Sequence, residues 1–228
     1  MKKIIKIFII VISLSSYSQQ GKLFFETNYN TFSHCSLKQF QQEFKTDIAP
    51  IPVKTVDDFP ANIGFTLGYE IVESKTAIFL GYNTTGGKLS YSDYSGIIRL
   101  EESLNGITFG GIYYVNLNKE KQDFKIGFKG FGMYSSFNLN SYSEIGTNIQ
   151  QDNIDFQSFD FGIGAQLNYE YPLSFFIIRA NIGFDVVLGG KLKFKDNNEA
   201  HLINNSGEDV KTGWSGLRTG VGIAFNID

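Results

Sequence analysis

Residues 213–227, G-W-S-G-L-R-T-G-V-G-I-A-F-N-I, separate into two faces when every second position is read. Ser215, Leu217, Thr219, Val221, Ile223, Phe225 and Ile227 fall on one face, and Trp214, Gly216, Arg218, Gly220, Gly222, Ala224 and Asn226 on the other. A period of two marks a strand held between two different environments. The first face is largely apolar. The second is mostly glycine, which weakens strands and which a solvated face has no reason to use. Glycine opposite an apolar band suits a narrow closed barrel with an apolar exterior and little room inside.

The same rhythm recurs along the chain. Leu23, Phe25, Thr27, Tyr29 and Thr31 alternate with Lys22, Phe24, Glu26, Asn28 and Asn30 in a strand over 22–33. Ile63, Phe65, Leu67, Tyr69 and Ile71 do the same over 61–72, and Ile78, Leu80 and Tyr82 over 76–85. A fourth strand ends near residue 117 and carries Ile107, Phe109, Tyr113 and Val115 on its apolar face. Upstream of it Ile98 and Leu100 stand in the opposite phase, which predicts a bulge near Asn105-Gly106. Three more alternators begin near Phe124, Ser158 and Phe176, and 213–227 is the eighth. Each is close to the length a tilted membrane-crossing strand needs. Connections alternate: 34–60, 86–96, 138–155 and 190–212 are long, while 73–75, 118–122 and 171–174 are short. Of the long ones, 86–96 reads as a hairpin extension and 138–155 as a polar loop. In 34–60, Ser36 to Gln39 resembles a capping box, and Leu37, Phe40 and Phe44 lie at helical spacing, so a short helix is expected up to about Lys45.

The amino-terminal residues read as a secretory signal. Lys2, Lys3 and Lys6 precede an apolar run over 7–14, and Ser16 and Ser18 stand three and one residues before Gln19. This divides the chain into a signal peptide, 1–18, and one barrel domain, 19–228. No later run reaches the roughly 18 apolar residues of a helical span, so a membrane crossing has to be made by strands. A soluble lipocalin-like barrel would bury the Phe/Ile face instead. Glycine placement decides between the two: Gly64, Gly68, Gly81, Gly127, Gly162, Gly164, Gly183, Gly220 and Gly222 share the polar face. Tyr29, Tyr82, Tyr134, Tyr169 and Tyr171 fall near strand ends, where aromatic girdles form. The fold class is therefore all-β: an eight-stranded antiparallel up-and-down transmembrane β-barrel with a short helix in the first long loop.

On these residues the chain resembles the eight-stranded outer-membrane β-barrel families, namely the transmembrane domain of outer-membrane protein A and the PorT-type barrels. The resemblance spans nearly all of 19–228 and rests on strand rhythm and loop alternation. Those families usually end on an aromatic residue read by the barrel-assembly machinery, whereas this chain ends Ala224-Phe225-Asn226-Ile227-Asp228. The resemblance implies residence in the outer membrane after signal-peptide export, outer-membrane lipid as surroundings, and the barrel-assembly machinery as a partner during biogenesis. The PorT-type likeness implies envelope assembly or secretion, with an envelope protein contacted through the long loops.

The inward charges are Lys22, Lys125, Lys129, Arg179 and Arg218 against Glu26, Glu70, Asp160, Glu170 and Asp185. Charge in a narrow lumen is costly unless paired, and eight strands leave room only for side chains. An internal ion network plugging the barrel is expected, with a narrow channel for ions or small solutes as the alternative. A lipid-modifying enzyme of the outer leaflet would need a nucleophile beside a base. His34 and His201 are the two histidines, both near loops, with Ser36 and Ser206 near them in sequence but no recognisable dyad. No catalytic, cofactor or metal site is expected. The acidic loop residues Asp57, Asp58, Asp196, Glu199, Glu208 and Asp209 lack calcium-loop spacing. The Leu37/Phe40/Phe44 stripe is a candidate contact surface, or a cap on the barrel's own mouth. Cys35, the single cysteine, excludes an intrachain disulfide and reads as a small buried residue or an idle thiol. The net charge of −3 gives no reason to expect a nucleic-acid partner.

Overall fold

The computed structural model describes residues 20–48, 50–117 and 124–227; the expected signal peptide and the turn 118–122 lie outside them. In chain order the elements are β1 (Gly21–Phe32), α1 (Cys35–Asp47), β2 (Lys54–Asp58), β3 (Asn62–Ile71), β4 (Thr76–Asp93), β5 (Gly96–Asn116), β6 (Phe124–Ile145), β7 (Asn148–Pro172), β8 (Ile177–Gly189), β9 (Lys193–Phe194) and β10 (Gly216–Ile227). Eight of them form an antiparallel ring, β1-β3-β4-β5-β6-β7-β8-β10. The last strand pairs back onto the first, Phe24 opposite Ala224, so the barrel is closed. β2 adds to the outer part of β4, and β9 to β7.

Exposure follows the two-residue period. On β3, Ile63, Phe65 and Leu67 are 58%, 45% and 49% exposed, while Asn62, Thr66 and Glu70, at positions of the opposite parity, are buried. The same inversion runs round the ring: Phe109, Phe128, Phe161, Phe184 and Val221 point out. An apolar belt of this extent is unstable in water and matches hydrocarbon, and a closed barrel leaves no unpaired backbone edge facing lipid. The molecule is an integral membrane β-barrel of the outer-membrane type. The interfacial tyrosines fit this: Tyr82 Oη donates to Asn105 Oδ1 at 3.0 Å and Tyr134 Oη to Gln157 Oε1 at 3.2 Å, each ring staying on the lipid side.

The strands are unequal. β1, β3, β8 and β10 have 12, 10, 13 and 12 residues, whereas β4 to β7 have 18, 21, 22 and 25. The long four continue past the membrane as one outer sheet. The polar loop expected over 138–155 is therefore hairpin, with β6 and β7 paired up to Ile145 and Asn148.

The bulge expected at Asn105-Gly106 is absent. Pairing of β4 with β5 runs unbroken from Thr76↔Tyr113 through Thr84↔Asn105 to Asp93↔Gly96. The side chains keep their phase; the surroundings change. Above the membrane the outside is water, so Arg99 and Glu101 face out and Leu100 and Leu104 are buried.

The helix begins at Cys35, so the Ser36 capping box does not form. His34 is the N-cap in a left-handed conformation, φ 44°, and its carbonyl accepts from Lys38 N–H at 3.0 Å. Ser36 Oγ accepts from Lys211 N–H instead, at 3.1 Å. Cys35 is exposed rather than buried. Residues 190–212 fold back as a small antiparallel sheet, pairing Lys191 with Lys211, Lys193 with His201 and Ile203 with Asp209.

Candidate functional site: a filled lumen beneath an apolar cap

The ten charges named from the sequence all point into the barrel and are buried or nearly so. Nine lie in ion pairs. Arg179 Nε is 3.0 Å from Glu26 Oε1, and its Nη1 is 3.3 Å from both Glu70 and Glu170. Lys125 Nζ is 2.7 Å from Glu70 and 3.1 Å from Glu170, which also holds Lys22 at 2.8 Å. Higher in the lumen Asp185 pairs with Lys129 and with Arg218, the latter at 3.3 Å. Asp160 stands apart from the ion pairs: it accepts from Ser158 Oγ at 2.8 Å and Thr212 Oγ1 at 3.1 Å. Several donors per carboxylate are what a low-dielectric interior requires.

Two uncharged aromatic residues complete this layer. Tyr114 Oη accepts from Arg179 Nη2 at 3.1 Å, and the Phe24 ring lies under the guanidinium, 4.1 Å from its carbon. Inward glycines receive large neighbours: the Phe24 ring occupies the space over Gly68, and the Phe131 ring that over Gly162. Above comes an amide layer. Asn28 donates to Thr66 Oγ1 at 2.8 Å, and Asn30 Nδ2 donates to Asn62 Oδ1 and Asn83 Oδ1 at 3.0 Å each.

The top is apolar. Phe32, Leu37, Phe59, Leu104, Met133, Phe137, Phe156, Leu192, Val210 and Trp214 form one buried cluster across the mouth. Trp214 Nε1 donates to Ser135 Oγ at 2.9 Å, which satisfies its single donor. The Leu37/Phe40/Phe44 stripe is spent here: Leu37 is fully buried, and Phe40 and Phe44 pack against neighbouring core clusters. It is not a free contact surface. Below α1, Gln41 Nε2 donates to the buried Glu102 at 2.7 Å and to the Asp57 carbonyl at 3.0 Å.

His34 lies in the cap. Its Nδ1–H donates to the Thr212 carbonyl at 2.6 Å, and its ring meets Trp214 edge-on, centroids 4.8 Å apart. Burial lowers its pKa to about 4, so it is neutral at pH 7. Gly213, at φ 71°, packs on the His34 backbone where a side chain would not fit. His201 Nε2 lies 2.8 Å from Asp209 Oδ1 at the surface. Among the described residues, no serine or threonine hydroxyl is hydrogen-bonded to either histidine, and no group of three His, Cys, Asp or Glu side chains could hold a metal ion.

No protein-family model and no curated protein sequence matches the chain. Among solved structures it is similar to a major outer membrane protein from Thermus thermophilus, with a TM-score of 0.53 at 10% identity over 91% of this chain and 99% of that one. Weaker likenesses include the attachment invasion locus protein of Yersinia pestis, TM-score 0.40 at 10% identity over 92% and 99% of the two chains. Neisserial surface protein A gives 0.38 at 9% identity over 91% and 97%. The fold is that of the eight-stranded outer-membrane β-barrels.

Proposed function

We propose that this protein is a non-conducting outer-membrane anchor whose work is done by the sheet it holds outside the membrane, through contact with an envelope or external protein. The carrying observation is the combination of a filled lumen with a long outer sheet that has one uncovered edge among the described residues. β2 covers the β4 edge, but β9 covers β7 only at Phe156 and Gln157. The Lys195 N–H reaches the Asp155 carbonyl at 3.0 Å. By the alternation of an antiparallel ladder, Ile149, Gln151 and Asn153 then direct their backbone groups to the open side. Such an edge takes an added strand unless something covers it.

Layers of ion pairs, amides and packed apolar side chains speak for a plug rather than a path for ions. A role in envelope assembly or secretion fits a rigid platform of this kind, with outer-membrane lipid around it and the barrel-assembly machinery placing it after export. A photo-crosslinking side chain at Gln151 in living cells tests the reading. A discrete crosslinked protein supports it; reaction with lipid or water alone contradicts it.

A further inference from the structure

A second feature lies in the barrel wall, where β8 stops short. β8 leaves the ring at Gly189, and the chain turns off on Gly189 and Gly190, with φ of 102° and 84°. β7 runs on alone until β9 rejoins its edge at Gln157 and Phe156. The gap is a cleft of about 570 Å³ on the outer surface of the wall. Its floor is Tyr134, Gln157 and Phe159, tied by Tyr134 Oη donating to Gln157 and by Gln157 Nε2 donating to Asn198 Oδ1 at 2.8 Å. Directly below, Phe161 and Leu188 are register partners, 66% and 67% exposed on the lipid-facing side. The roof carries Lys191 and Lys193.

The roof is basic for a structural reason. In the small sheet of 190–212, pairing places Lys191, Lys193, His201, Ile203, Asp209 and Lys211 on one face. Leu192 and Val210 turn the other way and are fully buried in the cap. The cap core fixes which side the cations take. Asp209 pairs with both Lys191 and His201. Lys193 and Lys211 make no ion pair among the described residues. Excess positive charge thus stands over an aromatic and aliphatic stripe, an arrangement that suits the level where lipid headgroups meet hydrocarbon.

We propose that this notch binds a phosphate-bearing lipid of the adjacent leaflet. The phosphate sits on Lys191 and Lys193, and an acyl chain descends along Phe159, Phe161 and Leu188. Lysine serves phosphate as a compact point charge on a stem that lies along apolar surface. The continuity of the cleft with the lipid-facing belt favours a membrane lipid over a soluble phosphate. The inference stands apart from the outer-sheet platform and rests only on the membrane-spanning fold.

Native mass spectrometry of the full chain, refolded in a zwitterionic detergent, tests it with dimyristoyl phosphatidylglycerol, the matched phosphatidylcholine and inorganic phosphate as probes. The wild type retains the anionic lipid roughly tenfold more than the zwitterionic one. Lys191→Gln/Lys193→Gln brings the two level, and Phe159→Ser/Leu188→Ser lowers retention of the anionic lipid with the lysines intact. Lys45→Gln/Lys54→Gln, elsewhere on the outer surface, keeps the wild-type preference. A heat-dependent shift on an SDS gel confirms that each variant is folded. Equal retention of both lipids by the wild type, or an undiminished preference in the double-lysine variant, overturns the proposal. Displacement of the lipid by millimolar inorganic phosphate overturns the lipid assignment and leaves a site for free anions.

Discussion

Arg179 and Glu26 meet across a missing side chain. They are register partners of the same residue, Gly222 on β10, and with no side chain there Nε and Oε1 lie 3.0 Å apart. The glycine face of the closing strand thus belongs to the ion network as well as to the narrowness of the lumen.

Removing the arginine strands one carboxylate and weakens the pairing of two more. Arg179→Ala leaves Glu26 without its ion pair and takes one cation each from Glu70 and Glu170. A buried charge that loses its partner costs about 3–5 kcal/mol. The temperature at which the SDS-resistant band unfolds falls accordingly. Adding Glu26→Gln to Arg179→Ala recovers part of that loss, because the uncompensated charge goes with the carboxylate.

The glycines divide into filled and empty positions. A methyl at Gly162 runs into the Phe131 ring, whereas one at Gly130 meets nothing within 4 Å. Gly162→Ala destabilises by about 1–3 kcal/mol through overpacking, and Gly130→Ala is neutral or slightly stabilising, since alanine suits a strand better than glycine. Urea unfolding of the two variants in the same detergent measures the difference.

How much of this was legible in the sequence depends on where the chain sits. Within the lipid, exterior and apolar coincide, so the alternation of Ile63, Phe65 and Leu67 reads directly as a wall. Outside it the rule reverses, and Leu100 in the wrong phase looked like a bulge when it was the start of an ordinary core under water. Strand parity put the ten charges in the lumen, but their partners depend on register between strands far apart in the chain, as with Lys22 and Glu170. The cap was the least legible part. Leu192 and Val210 come from a segment without strong periodicity, and only its return across the mouth brings them against Leu37 and Trp214.

His34 gives the cap a pH dependence of known sign. Its folded pKa, about 4, lies below its ordinary value of 6.5 because burial disfavours the cation. The stability it contributes is complete above pH 6.5 and is lost as pH falls towards 4, by at most about 3 kcal/mol. Amide exchange in α1, corrected for intrinsic rate, therefore speeds up between pH 6.5 and pH 4. His34→Asn keeps a residue that tolerates the left-handed conformation and removes the imidazole, so its corrected exchange profile is flatter in that window.

The outer end of the β6–β7 hairpin is expected to be separable from the barrel. Asn140 and Asn153 are register partners, so an Asn-Gly turn replacing residues 141–152 closes the hairpin without changing the strands in the membrane. The heat shift of this variant matches the wild type within about 0.5 kcal/mol. Loss of the folded band would mean instead that the extension is needed to hold the barrel together.

Conductance across a planar bilayer tests the filled lumen most directly. The ion pairs, the amide layer and the Trp214 cap predict that the purified chain inserts without steady current steps at neutral pH, in the wild type and in the shortened-hairpin variant alike. Reproducible unitary steps from the wild-type chain would contradict the plug and make the ten lumen charges the lining of a pore.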